Sequence, residues 1–296
     1  MNISFRQMKL FLALADAGSV TAAARAMHVT QPTASMQLKE ITHAVGLPLY
    51  EVISKKVYLT DAGLALAQTV RGMLRSWETF EQTVDATKGM TRGRLKVAVV
   101  STAKYFMPRM IGGFCKKYPD IDVSLEILNR DGVVARMQDN LDDLYIMSQP
   151  PTDRDLLDEV LMVNPVVLIA STRNPLAKKP SQSLVSLATQ RFILREKGSG
   201  TRMCVDQHFK KQKFSPDIRM ELGSNEAIKE AVAGGLGIGV VSQHALHGLK
   251  KENGVIVIDV KGFPVVSYWH MVHPAQKKLS PIAHAFKKYL LSSVSE

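Results

Sequence analysis

Apolar residues recur at helical spacing along the first 45 positions of the chain. The spacing i, i+3, i+4, i+7, which gathers residues on one face of a helix, occurs at Met8, Phe11, Leu12 and Ala15 and again at Val20, Ala23, Ala24 and Met27. It predicts one helix over Phe5–Ala17 and another after Ser19. A third helix is predicted from Thr30, a favourable N-cap, to about Val45, with Gly46 as its stop signal.

The connection between the second and third helices is short, and the third helix begins with small polar residues. His28 and Val29 break the apolar pattern, and Pro32 lies in the first helical turn, where its missing N–H costs little. Two helices joined in this way are typical of a helix-turn-helix, whose second helix places its N-terminal end in the major groove of DNA. A plain helical hairpin in an all-α core has the same spacing, so spacing alone leaves both alternatives open.

The side chains on this surface are of the types that contact DNA. Gln pairs with adenine, Ser and Thr bond several base edges, and Lys reaches phosphate. The segment LPLYEVISKKVYLTDAG after Gly46 predicts a small β-hairpin with two lysines near its tip, and thus a winged helix-turn-helix. The side chains expected at base edges are Gln31, Pro32, Thr33 and Ser35, and those expected at phosphates are Thr21, Lys39, Lys55 and Lys56.

A long helix is predicted from Thr60 to about Lys88, which would span about 43 Å. Its apolar residues follow a heptad seam that Glu81 interrupts: Ala67, Val70, Leu74, Trp77 and Val84. A long helix with one apolar stripe needs a partner helix, and a DNA-binding protein of this type needs two copies to read two half-sites. We therefore expect a dimerising helix, with packing on its own domain as the alternative. The polar segment TKGMTRGR, residues 87–94, is predicted to be a linker.

From residue 95 onward, short apolar strands alternate with helices. The predicted strands are 95–100, 123–128, 144–147, 191–195, 218–222, 238–242, 255–260 and 265–272, with extended chain over 160–171, and the predicted helices are 104–117, 132–139, 199–212, 225–233 and 281–292. This alternation indicates parallel sheets with right-handed crossovers. Two such series suggest two subdomains with a cleft between them.

Three of the predicted strand-to-helix turns carry small polar residues. Open α/β sheets bind ligands at the carboxyl ends of their strands, and helix N-termini favour anions. For any one turn, these residues are also ordinary N-caps, which is the alternative. For three converging turns we expect a small anionic metabolite, with Lys104 or Arg202 neutralising its carboxylate or phosphate. The expected binding residues are Ser101, Thr102, Lys104, Ser199, Thr201, Arg202, Ser224 and Asn225.

Charge and composition narrow the class of protein. The 296-residue chain has a formal charge of +11, which suits a polyanionic partner, although residues 1–60 hold only +3 of it. No signal peptide or membrane-spanning stretch is evident, so a cytoplasmic location without a membrane partner is expected. Cys115 and Cys204 are too few for a disulfide framework and are interpreted as buried small hydrophobes or as a redox switch. Two HxxH pairs, at 244–247 and 270–273, lack a third ligand at metal-like spacing, so no metal or cofactor is expected.

The segment FRQMKLFLALADAGSVTAAARAMHVTQPTASMQLKEITHAVGLPLYE, followed by KKVYLTDAG, resembles the N-terminal domain of LysR-type transcriptional regulators. Within that family, STAKYFMPRMIGGFCKKYPDIDVSLEILNRDGV and LPLYE…KKVYLTDAG are similar to the CbbR-type regulators of carbon-fixation operons. The resemblance implies a DNA-binding transcription activator, a homodimer or homotetramer that also contacts RNA polymerase. It further implies a C-terminal effector domain that resembles periplasmic solute-binding proteins. The positions that line the family's effector cleft match Ser101, Thr102, Thr201, Ser224 and Asn225.

The resemblance also implies how the chain is divided. The expected domains are 1–60 (winged helix-turn-helix), 61–93 (dimerising helix and hinge) and 94–296 (effector domain, with subdomain I at 94–163 and 268–296 and subdomain II at 164–267). One alternative is a LysR-type regulator of aromatic, sulfur or amino-acid metabolism. A solute-binding protein with a helical appendage would need a secretion signal. An enzyme that uses the α/β cleft would need paired acid and base residues, and none are found, so catalysis is not expected.

Overall fold

The computed structural model describes residues 2–54, 56–87, 92–246 and 254–294. The chain forms two compact units, one ending at Glu81 and the other beginning at Gln82. Each unit has its own hydrophobic core.

The N-terminal unit contains the predicted helices and hairpin. Its elements are α1 (Phe5–Ala17), α2 (Val20–Ala26), α3 (Gln31–Val45), β1 (Tyr50–Ile53), β2 (Lys56–Leu59) and α4 (Asp61–Thr87) up to Glu81, where the unit ends. The apolar faces of α1, α2 and α3 meet in one core around Phe11, Leu14, Ala24 and Leu38, all at most 2% exposed. Because these residues carry the i, i+3, i+4 spacing, the helical predictions for this unit are confirmed.

Local capping explains where these helices begin and end. Ser4 forms a capping box with Gln7 at the start of α1, and the Thr30 hydroxyl accepts a hydrogen bond from the Thr33 N–H at the start of α3. Gly46 ends α3 with a φ of 78°, a conformation that glycine adopts without strain.

The β1–β2 hairpin is the predicted wing. It is an antiparallel pair, and the Val57 N–H donates to the carbonyl of Gly18 at 3.0 Å, which joins the wing to the α1–α2 turn. Thr60 holds its base, since its N–H donates to the Leu49 carbonyl and its hydroxyl donates to the Pro48 carbonyl. Lys55, at the predicted tip, lies outside the described residues.

Helix α4 packs on its own unit over its first turns and exposes apolar residues further along. Ala67 and Val70 of the predicted seam are each 1% exposed. Trp77, by contrast, is 49% exposed, together with Met73 at 46% and Phe80 at 56%. Part of the predicted heptad seam is therefore already covered by the unit itself, and the exposed stripe runs through Met73, Trp77 and Phe80.

The C-terminal unit contains two mixed sheets with helices packed against them. In chain order the elements are β3 (Gly93–Val100), α5 (Met107–Lys117), β4 (Ile121–Leu128), α6 (Arg130–Gln138), β5 (Leu144–Met147), β6 (Leu156–Val163), β7 (Val166–Ser171), β8 (Arg191–Arg195), α7 (Gly200–Lys211), β9 (Asp217–Leu222), α8 (Asn225–Ala233), β10 (Ile238–Ser242), β11 (Val255–Val257), β12 (Tyr268–Pro274) and α9 (Pro281–Val294). The first sheet has the order β4-β3-β5-β12-β6, and the second β11-β7-β10-β8-β9.

The prediction of parallel sheets is confirmed for three strands of each sheet and wrong for the other two. Strands β3, β4 and β5 pair in parallel, as do β8, β9 and β10. However, β12 pairs antiparallel with β5 and β6, and β7 pairs antiparallel with β10 and β11. The antiparallel strands lie where the chain passes between the sheets, so no crossover helix sets their direction.

The chain passes between the sheets at two adjacent places. It leaves the first sheet at Asn164 and returns at Ser267, and the Asn164 N–H donates to the Ser267 carbonyl at 2.7 Å. Val166 and Val265 exchange both backbone hydrogen bonds at 2.9 Å. The Ser242 hydroxyl donates to the fully buried Asn164 side chain at 2.6 Å. The two connections therefore form one hydrogen-bonded unit.

The predicted helix over 104–117 is wrong at its start. A 3-10 helix spans Ser101–Tyr105, and α5 begins only at Met107. Pro108 explains the break, because proline cannot donate a backbone hydrogen bond and is tolerated only in the first turn of a helix. Within the described part of the chain, every helix is too short or too polar to cross a membrane.

Candidate functional site

The first two turns of α3 present polar side chains on the surface of the N-terminal unit. Gln31, Pro32 and Lys39 are exposed, while Thr33 and Ser35 are half-buried. The Thr33 hydroxyl lies 2.8 Å from that of Thr30, so the N-cap also fixes the position of Thr33. A shallow depression is lined by Gln31, Pro32, Ser35, Met36, Lys39 and Glu40.

Met36 is a member of this surface that the sequence prediction left out. Its side chain is 56% exposed, on the face opposite the buried Ala34 and Leu38. An apolar side chain here can contact the methyl group of thymine, which is the apolar feature of the major groove. Its helical position away from the buried face was the available signal.

The residues predicted at phosphates lie on different elements of the same unit. Thr21 is exposed on α2, and Lys56 is exposed on β2. Arg25, also exposed, lies one turn after Thr21 on α2 and was not predicted. A winged helix-turn-helix contacts phosphates from both sides of its groove helix in this way.

A second feature of this unit is the aromatic surface, formed by Phe5, Met73, Trp77 and Phe80. The ring centroids of Phe5 and Trp77 are 5.9 Å apart, and those of Trp77 and Phe80 are 5.6 Å apart. These side chains line an open groove between α1 and α4. Exposed apolar groups of this size mark an interaction surface.

In the C-terminal unit, predicted residues gather at the carboxyl ends of β3, β8 and β9. Thr102, 3% exposed, accepts a hydrogen bond at 3.0 Å from the indole N–H of Trp269. Ser101 accepts one at 3.1 Å from the Arg195 guanidinium. Since Ser101 belongs to the first sheet and Arg195 to the second, this contact brings the two turns together.

Arg195 is the residue that the sequence analysis missed. It ends β8, is 2% exposed, and donates to both carboxylate oxygens of Glu196, from Nε at 2.8 Å and Nη2 at 3.0 Å. Its Nη1 is buried, and no described residue accepts a hydrogen bond from it. A buried guanidinium nitrogen without an acceptor favours an anionic ligand. An arginine that ends an apolar strand, in RFILR, was the signal.

A second cation, Lys104, follows β3 of the first sheet and is paired with a carboxylate that follows β9 of the second sheet. Lys104 Nζ lies 2.8 Å from Glu226 Oε2, and the Tyr105 hydroxyl donates to Glu226 Oε1 at 2.6 Å. Burial would raise the pKa of the Glu226 carboxyl, but these two hydrogen bonds lower it to about 2. Burial, and then the bond to Glu226, raise the pKa of Tyr105, so its hydroxyl remains a donor.

Arg202 is placed where it cannot neutralise a ligand as predicted. Its side chain is 7% exposed and binds the carboxylates of Asp206 at 2.9 Å and Glu221 at 2.7 Å, as well as the Arg195 carbonyl. Two carboxylates already compensate its charge. Its role is to hold the end of β8 and the start of α7 in register.

The remaining predicted residues differ in what they can offer a ligand. Ser199 and Thr201 are buried at the start of α7, 2% and 4% exposed. The Ser224 hydroxyl caps α8 by accepting from the Ala227 N–H at 3.1 Å, as an ordinary N-cap does. Asn225 is 2% exposed, and its Oδ1 has no hydrogen-bond donor among the described residues. Asn225 is thus a second buried polar group, besides Arg195, that is available to a ligand.

Metal binding and cysteine chemistry find less support among the described residues. No group of three or more His, Cys, Asp or Glu within the described ranges could hold a metal ion, and His247 lies outside them. Both cysteines are free, and burial raises the pKa of the Cys204 thiol, which disfavours the reactive thiolate.

Two family models match the chain. "Bacterial regulatory helix-turn-helix protein, lysR family" matches residues 5–64, and "LysR substrate binding domain" matches residues 88–295.

Named relatives match over nearly their full length. The transcriptional activator CmpR of Synechocystis sp. is 41% identical over 292 residues, which is 98% of this chain and 96% of CmpR. A RuBisCO operon transcriptional regulator of Acidithiobacillus ferrooxidans is 41% identical over 295 residues, 100% of this chain and 96% of the relative. A solved structure, the CcmR regulatory domain of Synechocystis PCC6803 in complex with 2-PG, is 44% identical, covers 69% of this chain and 99% of that domain, and has a TM-score of 0.67.

Proposed function

Because the chain belongs to the LysR family of bacterial transcription regulators, we propose that it controls carbon-fixation genes in response to a small anion. It binds operator DNA through α3 and the wing, and the anion through the cleft between its two sheets. The RuBisCO operon transcriptional regulators among the relatives support carbon fixation over aromatic, sulfur or amino-acid metabolism. They also support regulation over catalysis. Since bacterial DNA lies in the cytoplasm, the protein acts there.

The exposed start of α3 is the observation that supports DNA binding. Gln31 and Met36 face solvent beside Lys39, while the opposite face of the same helix is buried. Lys56 and Thr21 flank this surface and contact phosphates. Side chains at base edges set the sequence preference, and cations at phosphates set the overall affinity and its salt dependence.

Two substitutions separate these roles. Gln31→Ala is expected to relax sequence preference at one base pair, a loss of about 1–3 kcal/mol on the preferred site. Lys56→Ala is expected to weaken binding to all sequences and to reduce the salt slope by about 1 per protomer. Lys288→Ala, an exposed lysine on α9, is the control. Gel-shift titrations on matched promoter and random duplexes, at several salt concentrations, measure both the sequence preference and the salt slope. A Gln31 variant that changes only the salt slope would contradict the assignment.

The aromatic surface supports a homodimer. Phe5, Met73, Trp77 and Phe80 are each at least 39% exposed and contiguous. A second copy of α4 covers such a stripe by helix pairing, and two copies are what half-site recognition needs. We propose that the dimer assembles further into a tetramer on DNA and contacts RNA polymerase there. The domain limits 1–60, 61–93 and 94–296, with their subdomains, are part of this proposal.

Arg195 supports an anionic effector, and 2-phosphoglycolate (2-PG), with which the CcmR domain was solved, is the compound we propose. This compound carries a phosphate and a carboxylate. The Nη1 of Arg195 offers a buried donor to one of them, and Ser101 accepts a hydrogen bond from the same guanidinium. The buried Thr102 and Thr201 complete the proposed site. The effector shifts an existing equilibrium between arrangements of the sheets, and so changes how two protomers are spaced on DNA.

Calorimetric titration of the full chain with 2-PG tests the effector. Arg195→Met removes the buried donor and is expected to weaken binding at least 100-fold, since a charge-assisted hydrogen bond in a buried site contributes on the order of 3 kcal/mol. Arg195→Lys, which keeps the charge, should recover part of the affinity. Thermal unfolding confirms that each variant is folded. Wild-type affinity in a folded Arg195→Met variant would refute the site.

A further inference from the structure

One carboxylate between the two sheets is paired with a cation that an anionic ligand would need. Lys104 and Tyr105 follow β3 of the first sheet, whereas Glu226 lies in the first turn of α8, after β9 of the second sheet. Their contacts of 2.8 Å and 2.6 Å use both oxygens of the Glu226 carboxylate. We refer to this set of three residues as the cross-sheet contact.

The two cations that an anionic ligand could bind, Arg195 and Lys104, are each paired before any ligand arrives. Arg195 is paired with Glu196, and Lys104 with Glu226. An anion of charge −2 or −3 that enters this neutral set is attracted by two cations and repelled by two carboxylates, so one carboxylate has to move away for tight binding.

Exposure indicates which carboxylate moves. The Arg195 side chain is 1% exposed and is held by both oxygens of Glu196, so that pair is costly to break. The side chains of Lys104 and Glu226 are 31% and 45% exposed. A partly solvated pair is exchanged more readily than a buried one, because water receives the released carboxylate.

From these contacts we propose that Glu226 is a built-in competitor of the effector: its carboxylate holds Lys104 and Tyr105 until an anion displaces it. The proposal rests on the effector function above and adds how the site sets its sensitivity. The carboxylate keeps weak anions from occupying Lys104. It also joins the two sheets in the ligand-free protein, so effector binding replaces a contact within the protein by one through the ligand.

Arg195 and Glu226 belong to one site. The anion binds Arg195 first and then displaces Glu226 from Lys104 and Tyr105. Arg195 Nη1 and Asn225 Oδ1 are buried and lack partners among the described residues. Asn225 precedes Glu226 in α8, and Asn225 and Arg195 both act to lower the pKa of Tyr105, so both lie near its hydroxyl. A ligand bound at Arg195 is therefore adjacent to both donors that Glu226 holds.

Glu226→Gln tests the proposal by removing the charge and keeping the shape. Titration of the full chain with 2-PG is expected to show about five- to twentyfold tighter binding, because one like charge near the ligand is removed. Glu230→Gln, an exposed carboxylate on the same helix, removes the same charge and should leave affinity unchanged. Unchanged or weaker binding by Glu226→Gln would overturn the proposal. Loss of binding in Arg195→Met alongside it would leave the proposed function standing.

A double-mutant cycle distinguishes displacement from simple repulsion. In a Lys104→Met background the contested cation is absent, so Glu226→Gln should gain only about twofold. An equal gain in both backgrounds would overturn displacement. Inorganic phosphate, followed by thermal shift, makes the test independent of 2-PG. If phosphate stabilises Glu226→Gln no more than wild type, the proposal is wrong.

Discussion

Replacing Gly63 by alanine is expected to destabilise the N-terminal unit, although alanine is the better helix former. A Cβ built on Gly63 lies 1.9 Å from the carbonyl oxygen of Leu49 and 2.9 Å from its carbonyl carbon. Both are backbone atoms, so no side-chain rotation relieves the clash. The start of α4 and the loop before β1 would have to separate by more than about 1 Å, since such contacts are not found below about 3 Å.

The hydrogen bonds at this junction give the magnitude. Gly63 N–H donates to the Thr60 hydroxyl at 3.1 Å, that hydroxyl donates to the Pro48 carbonyl at 2.7 Å, and the Thr60 N–H donates to the Leu49 carbonyl at 3.1 Å. Each contributes about 1 kcal/mol. Losing most of them, less the gain of about 1 kcal/mol from helix propensity, leaves a net loss of about 1–2 kcal/mol.

Urea unfolding of the full chain measures this loss. The chain has two tryptophans, one in each unit, so a Trp269→Phe background lets Trp77 report on the N-terminal unit alone. Gly112→Ala in α5 is the control, because its added Cβ meets open space, and it should be neutral or stabilising by up to about 1 kcal/mol. DNA affinity should fall with Gly63→Ala, since the junction positions the wing. A Gly63→Ala variant as stable as wild type would refute the reasoning.

Three further predictions concern contacts described above. Met36→Ala should weaken binding about three- to tenfold at one thymine-containing base pair and leave the salt slope unchanged, as measured by binding to a substitution series; an equal loss on every duplex would contradict it. Trp77→Glu should dissociate the dimer, measured by analytical ultracentrifugation, and persistence of the dimer would exclude the aromatic surface. The pKa of Glu226, about 2 against an ordinary 4.5, means that the cross-sheet contact stabilises the fold above pH 4.5 and is lost as pH falls towards 2. The stability of Glu226→Gln should therefore depend less on pH in that range than the stability of wild type. An identical pH dependence in acid unfolding would contradict this.

The elements that local chemistry specifies were predictable from the sequence. Thr30 and Gly46 delimit α3 because capping depends on residues within one turn. The spacing of Ala34 and Leu38 located the buried face, and hence the exposed one, before any tertiary contact was known. The sequence shows the apolar stripe of α4 but not which part of it is buried, since the burial of Val70 depends on packing against the rest of the unit.

The effector cleft was less predictable because its chemistry depends on distant partners. The sequence suggests that Arg202 is a free cation, yet Glu221, nineteen residues away, neutralises its charge. Asp206 lies four residues after Arg202, and this i, i+4 spacing on a helix predicts an ion pair from the sequence alone. Arg195 was overlooked because it ends an apolar strand, and only the fold shows that its guanidinium is buried beside Ser101. Antiparallel pairing of β12 likewise depends on chain segments more than a hundred residues apart.

The paired connections between the sheets have a mechanical consequence. Asn164, Val166, Val265 and Ser267 are linked by backbone hydrogen bonds at one place, so the sheets can swing about that line but cannot slide past each other without breaking it. A rotation between the two sheets is therefore the motion that leaves these hydrogen bonds intact. Separation of Lys104 from Glu226, which follow strands of different sheets, is then coupled to the angle between those sheets.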